Sequence, residues 1–343
     1  MGRNEELHEA ELYAKGDDGS VICGLCSHRC HIREGRRGIC GVRENRGGTL
    51  YALTYGRISA EAVDPIEKKP LFHYLPGTTT YSLGGIGCNF RCKHCQNWHI
   101  SQSDDFDHLV RLSVGDAVAR AVGSGCRSIA WTYNEPTIWH EYTREMAALA
   151  RKDHLGTVYV TNGYITPEAL SDISPHLEAY RVDIKAFNDD FYRKICGAHL
   201  DPVLASTKQA YDAKMHVETV TLLIPGLNDS PEEVRALCRW VVRELGPEVP
   251  MHFTAFHPDY HMRDIPSTPV GVLERSHAIA QEEGVWYPYI GNVFEHPAQD
   301  THCHTCGALL VERDAFRSRQ VGLDGSRCAA CGETIPGTFE NRE

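Results

Sequence analysis

Three cysteines fall within eight positions of the stretch "GCNFRCKHCQNW", residues 87–98, spaced C-x-x-x-C-x-x-C as Cys88, Cys92 and Cys95. A closed tetrahedral zinc site takes four ligands, so three soft ligands on one short loop describe a metal centre that the polypeptide leaves incomplete. A [4Fe–4S] cluster also takes four ligands, usually cysteines; with three supplied, one iron stays open for a small molecule. The competing reading is a zinc knuckle that borrows His94 or His99 as its fourth ligand.

Most of the other cysteines are grouped as well. Cys23, Cys26, Cys30 and Cys40 read C-x2-C-x3-C-x9-C. Zinc is the preferred occupant and an auxiliary iron–sulfur cluster the competitor, because the spacing suits either. Cys303, Cys306, Cys328 and Cys331 read C-x2-C-x21-C-x2-C, two glycine-containing knuckles that signal structural zinc. Of the 14 cysteines only Cys126, Cys196 and Cys238 stand alone. Each lies in or beside a predicted helix and reads as a small core hydrophobe. Close-spaced groups in a long chain point to metal binding in a reducing compartment rather than to disulfides.

The elements that must position these groups follow from hydrophobic periodicity. From about residue 78 to 295, short β-branched or aromatic runs alternate with helical segments: "TYSLGGI", "SIAWTYN", "TVYVTNG", "YRVDIKAF", "HVETVTLLIP", "MHFTAFHP" and "WYPYIGNV" are the runs. Ser113, Thr166, Ser230 and Thr268 occupy predicted N-cap positions, with Pro directly after the last three. Repeated βα units imply a parallel sheet or barrel, whose working groups gather at the C-terminal ends of the strands. Those ends carry Gly84-Gly85, Asn134-Glu135, Thr161-Asn162-Gly163, Asp183 and Lys185, Pro225-Gly226, His257 and Asn292. Asp183 and Lys185, at alternate positions of one strand, share a face. The three-cysteine loop follows the first run, which brings its thiols to the same mouth. Gly84, Gly85 and Gly87 allow close backbone approach there, and His257 is a candidate polar wall or proton donor.

With "WTYNEPT", "VTNG", "DIK", "IPGLND" and "YIGNV" following in order, the chain resembles the radical S-adenosylmethionine superfamily, in its pyruvate formate-lyase activating-enzyme-like branch. "CQNWHIS", the first cysteine group and the double C-x-x-C at the end resemble its AmmeMemoRadiSam-system members. The resemblance implies an α/β fold: a partial (β/α)6-type barrel over residues 76–297, a small metal-stapled lobe and connector over 1–75, and a zinc-ribbon-like segment over 298–343. It implies that Cys88, Cys92 and Cys95 hold a [4Fe–4S] cluster that cleaves S-adenosylmethionine reductively to a 5'-deoxyadenosyl radical. Asn134 and Glu135 would meet the methionyl amino group, with Thr161, Asn162 and Gly163 beside the ribose or methionyl part. Gly85, Asp183 and Lys185 would rim the cofactor site; for the last two, a structural ion pair is the alternative. Activating enzymes commonly place Asp before "TNG", where this chain has Val160.

The implied activity is hydrogen abstraction from a protein or small-molecule substrate, with a glycyl-radical activase as one form of it. A flavodoxin or ferredoxin-type reductant is the expected partner. The alternative is a non-catalytic zinc-binding protein or nucleic-acid interaction module. A formal net charge of −11 over 343 residues weighs against nucleic acid and anionic membrane surfaces. The charged start "MGRNEELHEAELYAK" and the lack of any stretch near membrane-span length point to a soluble, cytoplasmic protein.

Overall fold

The computed structural model describes residues 7–339. Its centre is one eight-stranded sheet made of β1 (Ala60–Pro65), β2 (Thr79–Gly84), β3 (Ser128–Trp131), β4 (Gly156–Thr161), β5 (Ala179–Asp183), β6 (His216–Leu223), β7 (Met251–Ala255) and β8 (Pro288–Gly291). Strand order in space is strand order in sequence. From β2 to β8 every pairing is parallel. Between successive parallel strands run α1 (Val114–Gly123), α2 (His140–Lys152), α3 (Pro167–Ile173), α4 (Leu200–Asp212), α5 (Pro231–Glu244) and α6 (Val270–Glu282). Six βα units and a closing strand therefore form the expected partial barrel. β1 and β8 do not pair with each other, so the barrel stays open along one side.

The helices form where the sequence marks them. In α2, Tyr142, Met146 and Ala150 recur every four residues, and all are buried. Ser113, Thr166 and Ser230 accept the backbone N–H of Asp116, Ala169 and Glu233, satisfying amides that the first helical turn leaves free. Thr268 departs from this pattern. Pro269 is the N-cap of α6, while the Thr268 hydroxyl donates to the Leu223 carbonyl and accepts from the Phe256 amide, tying the ends of β6 and β7. The residues read as a connector also supply an edge strand: Ala60–Pro65 pair antiparallel with β2. An edge strand tolerates the terminal Pro65 because its outer N–H side needs no partner strand.

The N-terminal lobe shares its core with the barrel. Its Val21, Leu25, Ile32 and Leu50 belong to the same buried cluster as Trp131, Tyr159 and Phe253. A fully buried ion pair, Arg43 with Glu141 of α2, crosses the junction. The C-terminal segment has a smaller core of its own, built from Leu310, Val311, Ile335 and Phe339 against Phe72, Tyr287 and Tyr289. There the β6 carboxylate of Glu218 is buried and accepts from the Phe72 and His73 amides and from the His216 and His252 rings.

Candidate metal centre at the barrel mouth

The cysteine loop leaves the C-terminal end of β2 and turns immediately. Gly87 has φ +79°, and a Cβ there would stand 2.5 Å from the Cys40 carbonyl oxygen, so the first lobe presses on the loop where only glycine fits. The Phe90 amide donates to the Cys88 sulfur at 3.3 Å, and the Cys95 sulfur lies 3.1 Å from the Ser101 hydroxyl. The Cys196 thiol stands near enough to Cys92 to act on it. The loop is pinned on either side of Cys92, by Arg91 N–H to the Cys196 carbonyl at 2.8 Å and Lys93 N–H to the Ile195 carbonyl at 3.0 Å. Burial pushes the Cys88 and Cys95 thiols up; for Cys92 the Cys196 contact does so first and burial second. A metal arriving here must therefore displace protons.

No three ligand atoms of this loop, His94 and His99 included, come within 4.8 Å of one another. A tetrahedral zinc ion with sulfurs about 2.3 Å away needs neighbouring sulfurs about 3.8 Å apart. A cubane spreads its cysteines over separate irons, and the open triad suits that. The His94 ring is held down to about 3 by burial and stays neutral, with Nδ1 unpartnered.

Around the triad the strand ends interlock. Asn134 accepts the Gly85 amide at 3.1 Å and donates to the Gly87 carbonyl at 3.0 Å, clamping the start of the loop. The buried Glu135 carboxylate accepts from Thr137 N–H, the Thr161 hydroxyl and Asn162 N–H at 2.6–3.0 Å, which ties β3 to β4. Burial raises its pKa despite those donors. Asn162 donates to the Asn89 side chain at 2.8 Å and stands 3.8 Å from the Cys88 sulfur. Gly163 N–H donates to the Thr161 hydroxyl. Val160 points away from this group, packed beside Ala130, Val158 and Ala179. Asp183 lies between Lys185 at 2.9 Å and Arg181 at 2.6 Å. Burial opposes both charges of the Asp183–Lys185 pair, yet the pairing prevails: Asp183 is lowered and Lys185 raised. Lys185 also acts on Cys92. His257 stands 2.8 Å from Gln96, one residue past Cys95.

Several members of this constellation were not singled out from sequence. Arg181 had a signal, since residues 181 and 183 alternate onto one face of β5, whereas Lys185 lies two residues past the end of that strand. Cys196 had none: it closes a π-helical turn, Tyr192–Cys196, and only the tertiary pairing of that turn with residues 91–93 brings it to Cys92. Asp64 on β1 receives Lys68, Lys69 and the Tyr133 hydroxyl, and burial brings Lys69 down to about 8.

The C-terminal cysteines form a closed set. Cys303 and Cys331 sulfurs are 3.7 Å apart, as are those of Cys306 and Cys328, and all four lie within 4.8 Å of one another. That is the edge of a zinc–thiolate tetrahedron. The two knuckles repeat one backbone pattern: Cys303 N–H to Ala308 and Gly307 N–H to Cys303, then Cys328 N–H to Glu333 and Gly332 N–H to Cys328. Glu11, His140 and Asp172 also converge, but Arg144 already pairs with both carboxylates and supplies the positive charge.

A family model described as the Radical SAM superfamily matches residues 83–241. An uncharacterized protein of Methanocaldococcus jannaschii is 44% identical over 332 residues, 96% of this chain and 99% of that one. The isethionate sulfite-lyase activating enzyme of Oleidesulfovibrio alaskensis is 27% identical over 138 residues, covering 39% of this chain and 43% of that enzyme. Among solved structures, a domain of pyruvate-formate lyase-activating enzyme from Bacteroides vulgatus aligns with a TM-score of 0.43 at 13% identity, covering 48% of this chain and 99% of that domain.

Proposed function

We propose that Cys88, Cys92 and Cys95 hold a [4Fe–4S] cluster and that the barrel mouth directs hydrogen abstraction from a protein or small-molecule substrate, a reading supported by the match of residues 83–241 to the Radical SAM superfamily. Such a cluster, with S-adenosylmethionine bound, would supply the one electron that breaks the sulfonium C5'–S bond, releasing methionine and a 5'-deoxyadenosyl radical. The observation that carries this reading is the open triad, three sulfurs that do not close on His94 or His99 as a zinc site would.

The chain's own residues position and shield. Phe90 and Ser101 contact the Cys88 and Cys95 sulfurs, with Cys196 near Cys92, and hydrogen bonds to ligand sulfurs tune the potential of a cluster. Asn134 holds Gly85 and Gly87 in place, and Glu135 keeps Thr161 and Asn162 at the mouth. Both residues spend their side-chain hydrogen bonds on the protein, so bracing is their first role and contact with the methionyl group a second one. Asp183 and Lys185 form a charged wall beside Cys92.

The likeness to an activating enzyme supports a protein substrate, with a glycyl-radical activase as its sharpest form. A flavodoxin or ferredoxin-type protein is the fitting electron donor, and the AmmeMemoRadiSam system the fitting context. Zinc in the C-terminal quartet completes the assignment. Anaerobically purified, iron-loaded protein given dithionite and S-adenosylmethionine should release 5'-deoxyadenosine. Iron-loaded protein that releases none would overturn the proposal. A glycyl-radical signal on an added partner protein would select the activase form.

A further inference from the structure

The first lobe gathers four cysteines of its own. Cys23, Cys26 and Cys40 are buried and Cys30 half-buried. The Cys26 sulfur lies close enough to the other three for their charges to interact. Even so, no three of the four sulfurs come within 4.8 Å of one another, whereas the C-terminal four do. The lobe thus shares the open spacing of the triad and not the tetrahedral spacing of zinc.

An independent observation comes from Arg43. Its guanidinium is 1% exposed and its Nη2 pairs with Glu141, but Nε and Nη1 have no hydrogen-bond partner. Cys23 and Cys40 both stand beside it. A buried donor without an acceptor costs about 1–3 kcal/mol. Cluster sulfides and cysteine thiolates are acceptors, and the net negative charge of a cysteine-ligated cluster favours a cation at that position.

The lobe also meets the catalytic loop directly. The Cys40 carbonyl faces Gly87, the Arg91 guanidinium donates to the Ile39 carbonyl, and Cys26 forms a backbone bridge with Ile165 just past the "TNG" turn. We propose that Cys23, Cys26, Cys30 and Cys40 bind an iron–sulfur cluster that relays electrons to the cluster at Cys88, Cys92 and Cys95. The lobe cluster takes one electron from an external low-potential donor of the flavodoxin or ferredoxin class and passes that electron on. It ends each turnover in its starting oxidation state, and no bond forms or breaks in the lobe. The relay rests on the function proposed above; the identity of the lobe metal does not.

The test is metal content. A Cys88→Ala, Cys92→Ala, Cys95→Ala triple variant, reconstituted anaerobically, should retain iron with an equal amount of acid-labile sulfide. Adding Cys26→Ser and Cys30→Ser should remove both. An iron-free triple variant would overturn the inference. Wild-type protein needs no substitution to decide the same point: more than about four irons with one zinc per chain supports the lobe cluster, while about four irons with two zincs refutes it. Lobe iron in a chain that never releases 5'-deoxyadenosine would sink the proposed function and leave the lobe cluster standing; lobe zinc in an active chain would do the reverse.

Discussion

The loop at Cys88–Cys95 and the knuckles at Cys303–Cys331 use the same side chain and share the C-x-x-C step, yet the chain presents them in opposite ways. In the C-terminal segment two turns of identical hydrogen-bond pattern face each other, and four sulfurs meet at the edge length of a tetrahedron. At the barrel mouth one loop supplies three sulfurs, each contacted by a different part of the chain, and no fourth ligand closes on them. Closure is thus a property of the elements that carry the cysteines. Two facing turns bring four sulfurs to tetrahedral spacing; one loop at the end of a strand presents three and leaves them apart.

The largest expected effect separates the triad from the lone cysteines. Cys92→Ala should lower triad iron and abolish release of 5'-deoxyadenosine, while Cys126→Ala, at a buried cysteine between α1 and β3, should leave both largely intact. Equal iron and activity in the two variants would contradict the assignment. Next comes the closed site. If metal binding worth about 10–16 kcal/mol holds the C-terminal segment together, Cys306→Ala should expose the chain beyond residue 300 to proteolysis while the barrel resists. An unchanged digestion pattern would count against a metal-held segment.

The smallest effect concerns how that segment docks on the barrel. His73 Nδ1 meets the Pro336 carbonyl at 2.7 Å and must carry the hydrogen, so Nε2 accepts from the Tyr289 hydroxyl at 2.6 Å. Burial holds this ring down to about 3. An unfolded histidine titrates near 6.5, so between those values the unfolded state binds more protons and stability falls as pH falls, by up to about 1.4 kcal/mol per pH unit. Glu218, lowered by His216 and His252 against the cost of its burial, adds loss in the same direction at lower pH. Cleavage beyond residue 300 should therefore accelerate between pH 7 and pH 5 with the metal retained. Identical rates at the two values would remove His73 from the docking account.

Much of the architecture was legible because it rests on local pattern. The seven runs became seven parallel strands, and Ser113, Thr166 and Ser230 cap the helices they precede, since a cap needs only its own next three residues. Thr268 misled because its hydroxyl had better partners across space in Leu223 and Phe256 than along its own helix. The same reason hid β1, whose pairing is with residues about 20 positions away. Cys196 read as a core hydrophobe and is as buried as one, yet its sulfur faces Cys92.

What the sequence determined by itself was the count and spacing of its cysteines, the alternation of strand and helix, and hence three thiols at the end of the first parallel strand. Those follow from periodicity and from covalent order. Which groups close and which stay open, the bracing of the mouth by Asn134 and Glu135, and the arrival of Cys196 and the lobe at the three-cysteine loop were decided only by the tertiary structure. These contacts join residues tens of positions apart, and their geometry exists only once the sheet has set the strand ends side by side.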